Sequence, residues 1–97
     1  MCGIYKITNL ITNKSYIGQS LCIEERWKKH RNYPTTLSHY PLYQAFAKYG
    51  MENFSFEVLE ECLASDLNIK EMSYIKLYDT YHNGYNQTEG GEGQKCC

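Results

Sequence analysis

Ninety-seven residues with 42% apolar and 22% charged side chains describe one folded domain with a single modest core, too small for two. No apolar run approaches a membrane span, and the N-terminus lacks a basic segment followed by an apolar one, so the expectation is a cytoplasmic, non-membrane protein. The net charge of −1 hides a division: residues 1–50 carry seven basic side chains against Glu24 and Glu25, while residues 51–97 carry three basic against nine acidic, which suits a weakly held polyanion on the first half. Five cysteines (Cys2, Cys22, Cys62, Cys96, Cys97) form neither Cys-x-x-Cys nor Cys/His spacing, so free thiols are expected and not a disulfide or zinc framework.

In chain order, Gly3-Ile4-Tyr5 and Tyr16-Ile17-Gly18 are β-branched and aromatic triplets joined by an Asn- and Thr-rich connection, the signature of a β-hairpin. A turn near Leu10-Ile11 makes opposite residues sum to about 21 and sets Tyr5 against Tyr16. Taken alone, such a pair is ordinary sheet packing.

Ser20 can cap a helix Ile23–Arg31 with Glu24 and Glu25 in its first turn and cations in its last. Ile23 and Trp27 supply its buried face, and Arg26 and His30, also four apart, lie one above the other on an adjacent face. A salt bridge for Arg26 and a helix-terminal cation for His30 are the plain alternatives. Lys28, Lys29 and Arg31, with Lys14 in the hairpin, make up the basic surface open to a nucleic acid; a solvated helix face is the commoner meaning.

Pro34 closes that helix, and residues 32–38 are loop-like. Leu42, Ala45, Phe46 and Tyr49 repeat at helical spacing from Pro41, with Gly50 at the position after the helix end, and His39 lies just ahead. Phe54, Phe56 and Val58 alternate with polar neighbours as in a half-buried third strand. Ser65 can cap a third helix to about Asp79, with Leu67, Tyr74 and Tyr78 in one apolar line, Met72 and Ile75 beside it, and Glu71 inside it.

A carboxylate inside an apolar line needs a partner: a divalent cation, an ion pair with Arg26, or a path that snorkels to water. His82-Asn83-Gly84-Tyr85-Asn86 is a turn signal, with Asn86 able to hydrogen-bond a water, a phosphate or another side chain. The expected organisation is a compact α/β (α+β) domain over residues 1–88, a three-stranded antiparallel sheet flanked by about three helices, and a Gly-rich linker or tail over residues 89–97.

Gly3-Ile4-Tyr5, Tyr16-Ile17-Gly18, Glu25-Arg26-Trp27-Lys28-Lys29-His30, Lys48-Tyr49-Gly50 with Asn53-Phe54, Glu71, and Asn83-Gly84-Tyr85-Asn86 resemble, in order and spacing, the GIY-YIG nuclease family. The likeness covers residues 3 to about 93 and is nearest to the catalytic domains of phage and intron-encoded homing endonucleases. It implies a DNA endonuclease cutting one strand per active site, with Tyr5, Tyr16, Arg26, His30, Glu71 and Asn86 in the active-site places. It also implies Glu71 as ligand of one Mg²⁺ (or Mn²⁺) ion, double-stranded DNA as partner, and a separate recognition module that this chain does not contain. A fold-sharing DNA-binding module without catalysis is the rival.

Gln19 stands where some relatives carry a lysine, and His39 is not firmly aligned with a histidine found before the second helix in others; both are secondary candidates. The expected chemistry lowers one phenol's pKa through a metal, Arg26 and His30, with Tyr5 preferred as base relay and Tyr16 as the phenol holding the water; the sequence permits the reverse assignment.

Overall fold

The computed structural model describes residues 1–32 and 41–86. Strands β1 (Gly3–Asn9), β2 (Ser15–Ser20) and β3 (Phe54–Glu61) form one antiparallel sheet in the order β2-β1-β3. Helices α1 (Ile23–Asn32), α2 (Pro41–Tyr49), α3 (Leu67–Tyr78) and the one-turn α4 (Thr80–Asn83) surround it. The expected three-stranded antiparallel sheet flanked by helices is what the chain forms. His39, Pro34, Cys96, Cys97 and the expected 89–97 tail lie outside the described residues.

The hairpin register differs from the expectation by two residues. Tyr5 pairs with Gly18 and Ile7 with Tyr16, so paired numbers sum to 23 and not 21. Asn9 sets the shift: its side-chain carbonyl accepts the Ile11 and Thr12 amides at 2.9 and 3.3 Å, and its own amide donates to the Lys14 carbonyl at 2.8 Å. Asn13 takes the left-handed conformation at φ 63° and closes the turn, moving its centre toward the C-terminus. Because both sums are odd, Tyr5 and Tyr16 still share a face, as diagonal neighbours with ring centroids 6.4 Å apart.

Each face of the sheet has its own core. On one, Tyr5, Ile7, Ile23, Leu42, Ala45, Phe46, Phe54 and Tyr85 are buried together, with Tyr16, Trp27, Tyr43 and Phe56 packed against them. On the other, Ile4 and Ile17 meet Leu67 and Ile75 of α3. The sheet therefore separates α1 and α2 from α3, and strand alternation sends odd-numbered β1 residues to the first layer and Ile4 to the second.

Two expected burial patterns are corrected. Val58, expected on the buried side with Phe54 and Phe56, is 37% exposed. Phe46 of α2 packs on Phe54 and Phe56, ring centroids 4.6 and 6.4 Å away, so helical cover ends before Val58 on this outer strand. A bulge follows, with Tyr5 opposite Val58 but Ile4 opposite Glu60, and the extra residue Leu59 joins the α3-side core.

On α3, Met72 and Tyr78 are exposed, while Leu67 and Ile75 are buried and Tyr74 half-buried. The buried line is Leu67, Glu71, Ile75, at i, i+4 and i+8, and Glu71 lies in its middle. Ser65 lies within a short 3₁₀ turn (Ala64–Asp66), and Asp66 occupies the N-cap position.

Candidate active site

Gly18 explains why the first triplet can answer the second. A Cβ at this position would lie 2.8 Å from Cε2 of Tyr5 and closer still to its Cζ and hydroxyl oxygen, so the Tyr5 ring occupies the space a side chain would fill. Tyr5 is completely buried there, with the Trp27, His30 and Tyr16 rings around it at 6.1, 5.9 and 6.4 Å.

Helix α1 delivers the next two groups. Its start is fixed by Ser20 Oγ, which accepts the Cys22 amide at 3.0 Å, and by the Cys22 carbonyl, which accepts the Arg26 amide at 3.1 Å. One turn separates Arg26 from His30. The Arg26 guanidinium lies close enough to the Tyr5 and Tyr16 phenols for its charge to act on both. His30 is 2% exposed and lies between two phenols: its Nε2 is 2.9 Å from the Tyr5 hydroxyl and its Nδ1 is 2.7 Å from the Tyr43 hydroxyl. It is thus a core histidine and not a solvated helix-end cation.

From the protein's own groups alone both phenols are raised, so Arg26 and His30 by themselves give no net lowering. Burial pushes Tyr5 well above the ordinary tyrosine range, the nearby Tyr16 phenol adds to this, and Arg26 only partly opposes it. Tyr16 is pushed up to about 12, again by burial first, with Arg26 lowering it and Glu71 raising it. His30 falls to about 3 because burial and then Arg26 both disfavour a second positive charge. For Arg26, burial works downward, but the Tyr5, Tyr16 and Tyr43 phenols hold it above its usual value. At neutral pH the cluster is one cation among neutral rings: the single arginine charge is too weak to offset desolvation of a phenolate.

Glu71 approaches from the other layer. Gln19, one residue past Gly18 and therefore on the opposite face, is buried and donates from Nε2 to Asn68 Oδ1 at 2.9 Å and to Glu71 Oε1 at 3.0 Å. The half-buried carboxylate is aimed by this amide, and it lies near enough to Tyr16 to raise that phenol. The two layers thus meet at the β2 edge beside Gly18.

Asn86 secures that edge. Its Oδ1 accepts the Ile17 amide at 2.8 Å and its Nδ2 donates to the Ile17 carbonyl at 2.9 Å, so the side-chain amide imitates a neighbouring strand. The Tyr85 amide donates to the Ser15 carbonyl at 2.9 Å, and the Tyr85 hydroxyl accepts from Asn9 Nδ2 at 3.0 Å, tying the C-terminal segment to the hairpin turn.

Lys28, Lys29 and Arg31 lie on the exposed side of α1, Lys14 is exposed in the hairpin turn, and Arg31 covers the Phe56 ring at 4.6 Å. Sequence reasoning passed over Tyr43 and Asn68. The available signal for Tyr43 was its spacing, three residues before Phe46 and beside Leu42 on the apolar stripe, where a phenol presents its ring to the core and its hydroxyl to a partner.

One carboxylate aimed by an amide suits a hard divalent cation, which keeps most of its water and takes one or two protein oxygens. Among the described residues no three His, Cys, Asp or Glu side chains gather into a ligand set of the kind zinc takes.

The family described as the GIY-YIG catalytic domain matches residues 1–86. The chain is 36% identical over 98 residues to intron-associated endonuclease 1 of Enterobacteria phage T4, covering 97% of this chain and 40% of that protein. It is 30% identical over 84 residues to the probable intron-encoded endonuclease 1 of Neurospora crassa, covering 87% of this chain and 27% of that protein. Two solved structures superpose closely, each at 30% identity. One is the catalytic domain of homing endonuclease I-TevI (TM-score 0.80; 91% of this chain, 99% of that one). The other is a glutamate-to-alanine mutant of the catalytic domain of intron endonuclease I-TevI (TM-score 0.81; 92% and 95%).

Proposed function

The chain belongs to the GIY-YIG catalytic-domain family, and from that premise we propose that it is the cleaving domain of a homing-type endonuclease, hydrolysing one DNA strand per active site with a divalent cation, Mg²⁺ or Mn²⁺. The observation that carries this is the convergence of Arg26, Tyr5 and Tyr16 in one cluster whose charges act on one another, with the Glu71 carboxylate near Tyr16. Hydrolysis of a phosphodiester needs charge neutralisation around phosphorus and a held water in line with the leaving oxygen, and these four side chains are the kinds that supply it.

Glu71 would hold the cation, with Gln19 and Asn68 fixing the carboxylate's direction. When bound, such an ion supplies Lewis-acid stabilisation of the charge developing on the leaving oxygen. Arg26 would take the non-bridging phosphate oxygens, for which its planar fork is better suited than an ammonium. Tyr16, half-buried at the β2 edge, is the phenol assigned to the water. Tyr5 is sealed beneath it with its hydroxyl on His30, and is assigned the relay of a proton to the imidazole. With the protein's own groups alone, both phenols rest protonated at neutral pH.

Double-stranded DNA is the proposed partner, met by Lys14, Lys28, Lys29 and Arg31 through backbone phosphates. The chain spans 40% and 27% of the two relatives' lengths, which supports a recognition module elsewhere in the proteins that use this domain.

Nicking of supercoiled plasmid by the pure chain in Mg²⁺ or Mn²⁺ tests the proposal. Glu71→Gln and Arg26→Ala should each reduce nicking by at least roughly a hundredfold while circular dichroism keeps the wild-type spectrum. Nicking at the wild-type rate by both variants refutes the assignment. A wild-type chain that retards DNA but never cuts it would mark a binding module that has kept the fold and lost catalysis.

A further inference from the structure

We infer that Tyr43 is a positioning residue of the active site: its hydroxyl oxygen takes the Nδ1 proton of His30, fixing the imidazole in the tautomer whose bare Nε2 faces the Tyr5 hydroxyl. The inference rests on the nuclease reading above and assigns a proton path within it.

The geometry narrows the choice. His30 bridges two phenols, Tyr5 on Nε2 at 2.9 Å and Tyr43 on Nδ1 at 2.7 Å, at a position 2% exposed. A neutral imidazole has one N–H and one acceptor nitrogen, so exactly one of the two phenols donates to it. Burial and Arg26 keep the ring neutral across the working pH range. The decision falls to Tyr5. The nearby Arg26 guanidinium has donors only and cannot accept its proton. The Tyr5 O–H needs an acceptor inside a fully buried pocket, and Nε2 is at hydrogen-bond distance. With Nε2 accepting, Nδ1 carries the proton and donates it to Tyr43.

The alternative tautomer makes the Tyr5 oxygen accept from His30, leaving its own buried O–H to find a second partner. In the favoured tautomer the relay balances. The Tyr5 O–H bond breaks, its electron pair stays on the phenolate oxygen beside Arg26, and an N–H bond forms at Nε2; the Nδ1–H bond to Tyr43 persists throughout. Tyr43 is uncharged, so it orients the ring without stabilising imidazolium at rest, in keeping with a histidine that stays neutral.

Nitrogen-15 correlation spectra of histidine-labelled full chain at pH 7 read the tautomer directly and need neither DNA nor metal. The expected result is a protonated Nδ1 and an unprotonated Nε2 for His30. A protonated Nε2, or a charged ring, overturns the inference whatever the nuclease assay shows. In the cleavage assay, Tyr43→Phe should lower kcat roughly tenfold with KM within about twofold, and shift the His30 nitrogen pattern. Tyr43→Gln, which returns a carbonyl acceptor, should recover most of kcat and the wild-type pattern. Wild-type kcat and an unchanged His30 pattern in Tyr43→Phe overturn the positioning role. Should the wild-type chain fail to nick DNA while His30 shows the expected tautomer, the nuclease reading falls and the tautomer assignment stands.

Discussion

Replacing Gly18 with alanine tests whether the site is built by close approach or by mere neighbourhood. The added Cβ would sit 2.8 Å from Tyr5 Cε2 and nearer still to Cζ and the hydroxyl oxygen, all on a rigid ring with no exposed surface. A flexible chain end could swing away. A fully buried phenol enclosed by Trp27, His30 and Tyr16 cannot move without disturbing each of them. Overpacking of this kind costs about 1–3 kcal/mol. Displacing the ring also strains the 2.9 Å contact to His30, adding about 1 kcal/mol for a buried hydrogen bond.

The expected total is about 2–4 kcal/mol. In a domain of this size that is a fall in Tm on the order of 10–25 °C. Urea melts of Gly18→Ala, Tyr5→Leu and the double variant measure it. Leucine lacks the far end of the ring, so the double variant should be more stable than the sum of the single losses predicts, by about 1–3 kcal/mol. Strict additivity, or a Gly18→Ala chain as stable as wild type, would show that the glycine is not there for the tyrosine.

The histidine gives a pH prediction whose sign is fixed by its depression. His30 is held at about 3 against an ordinary 6.5, so between those values the unfolded chain binds more protons. Its contribution is therefore complete above about pH 6.5 and is lost as pH falls toward 3, at no more than about 1.4 kcal/mol per pH unit. Urea midpoints from pH 7 to 4 should fall less steeply in His30→Gln than in wild type, and a His30 ring titrating near 6.5 by NMR would contradict this. Asn86→Asp puts a carboxylate oxygen against the Ile17 carbonyl now reached by Nδ2 at 2.9 Å, and should cost about 1–3 kcal/mol at pH 7 with faster exchange of the Ile17 amide. An unchanged Tm and exchange rate would mean that the β2 edge does not depend on this side chain.

Much of this architecture was readable from local pattern, and the limits have physical causes. The triplets, the Ile23–Trp27 face of α1 and the Leu42–Phe46 stripe of α2 each carry a period that survives folding. Register did not, because it was decided by one side chain, Asn9, bonding forward to Ile11 and Thr12. Val58 has strand periodicity but lies past the end of α2's cover, and periodicity cannot report how far a neighbouring helix extends. On α3 the apolar residues run nearly all round the helix, so Leu67 and Ile75 could not be told from Met72 and Tyr78 without the sheet in place. The phenol shifts followed the same rule: opposite charge was visible in Arg26, whereas depth of burial, the larger effect, belongs only to the folded chain.

The position of Gly18 between two side-chain layers has a consequence for how this domain responds to change. Tyr5, Tyr16, Arg26 and His30 are held by the core of α1 and α2, whereas Gln19, Asn68 and Glu71 are held by the core beneath α3. The two cores are separate apolar clusters among the described residues, joined through the strands: β1 sends Tyr5 and Ile7 to one face and Ile4 to the other, and at the site β2 alternates Tyr16 and Gly18 to one face and Ile17 and Gln19 to the other. An edge strand is ordinarily the loosest part of a sheet, because one side of its backbone lacks a partner. Here the amide of Asn86 occupies that side at Ile17, between the residue that presents a phenol and the residue that aims a carboxylate. The placement of Tyr16 relative to Gln19 is therefore carried along the β2 backbone, and Asn86 steadies that backbone at Ile17, between them.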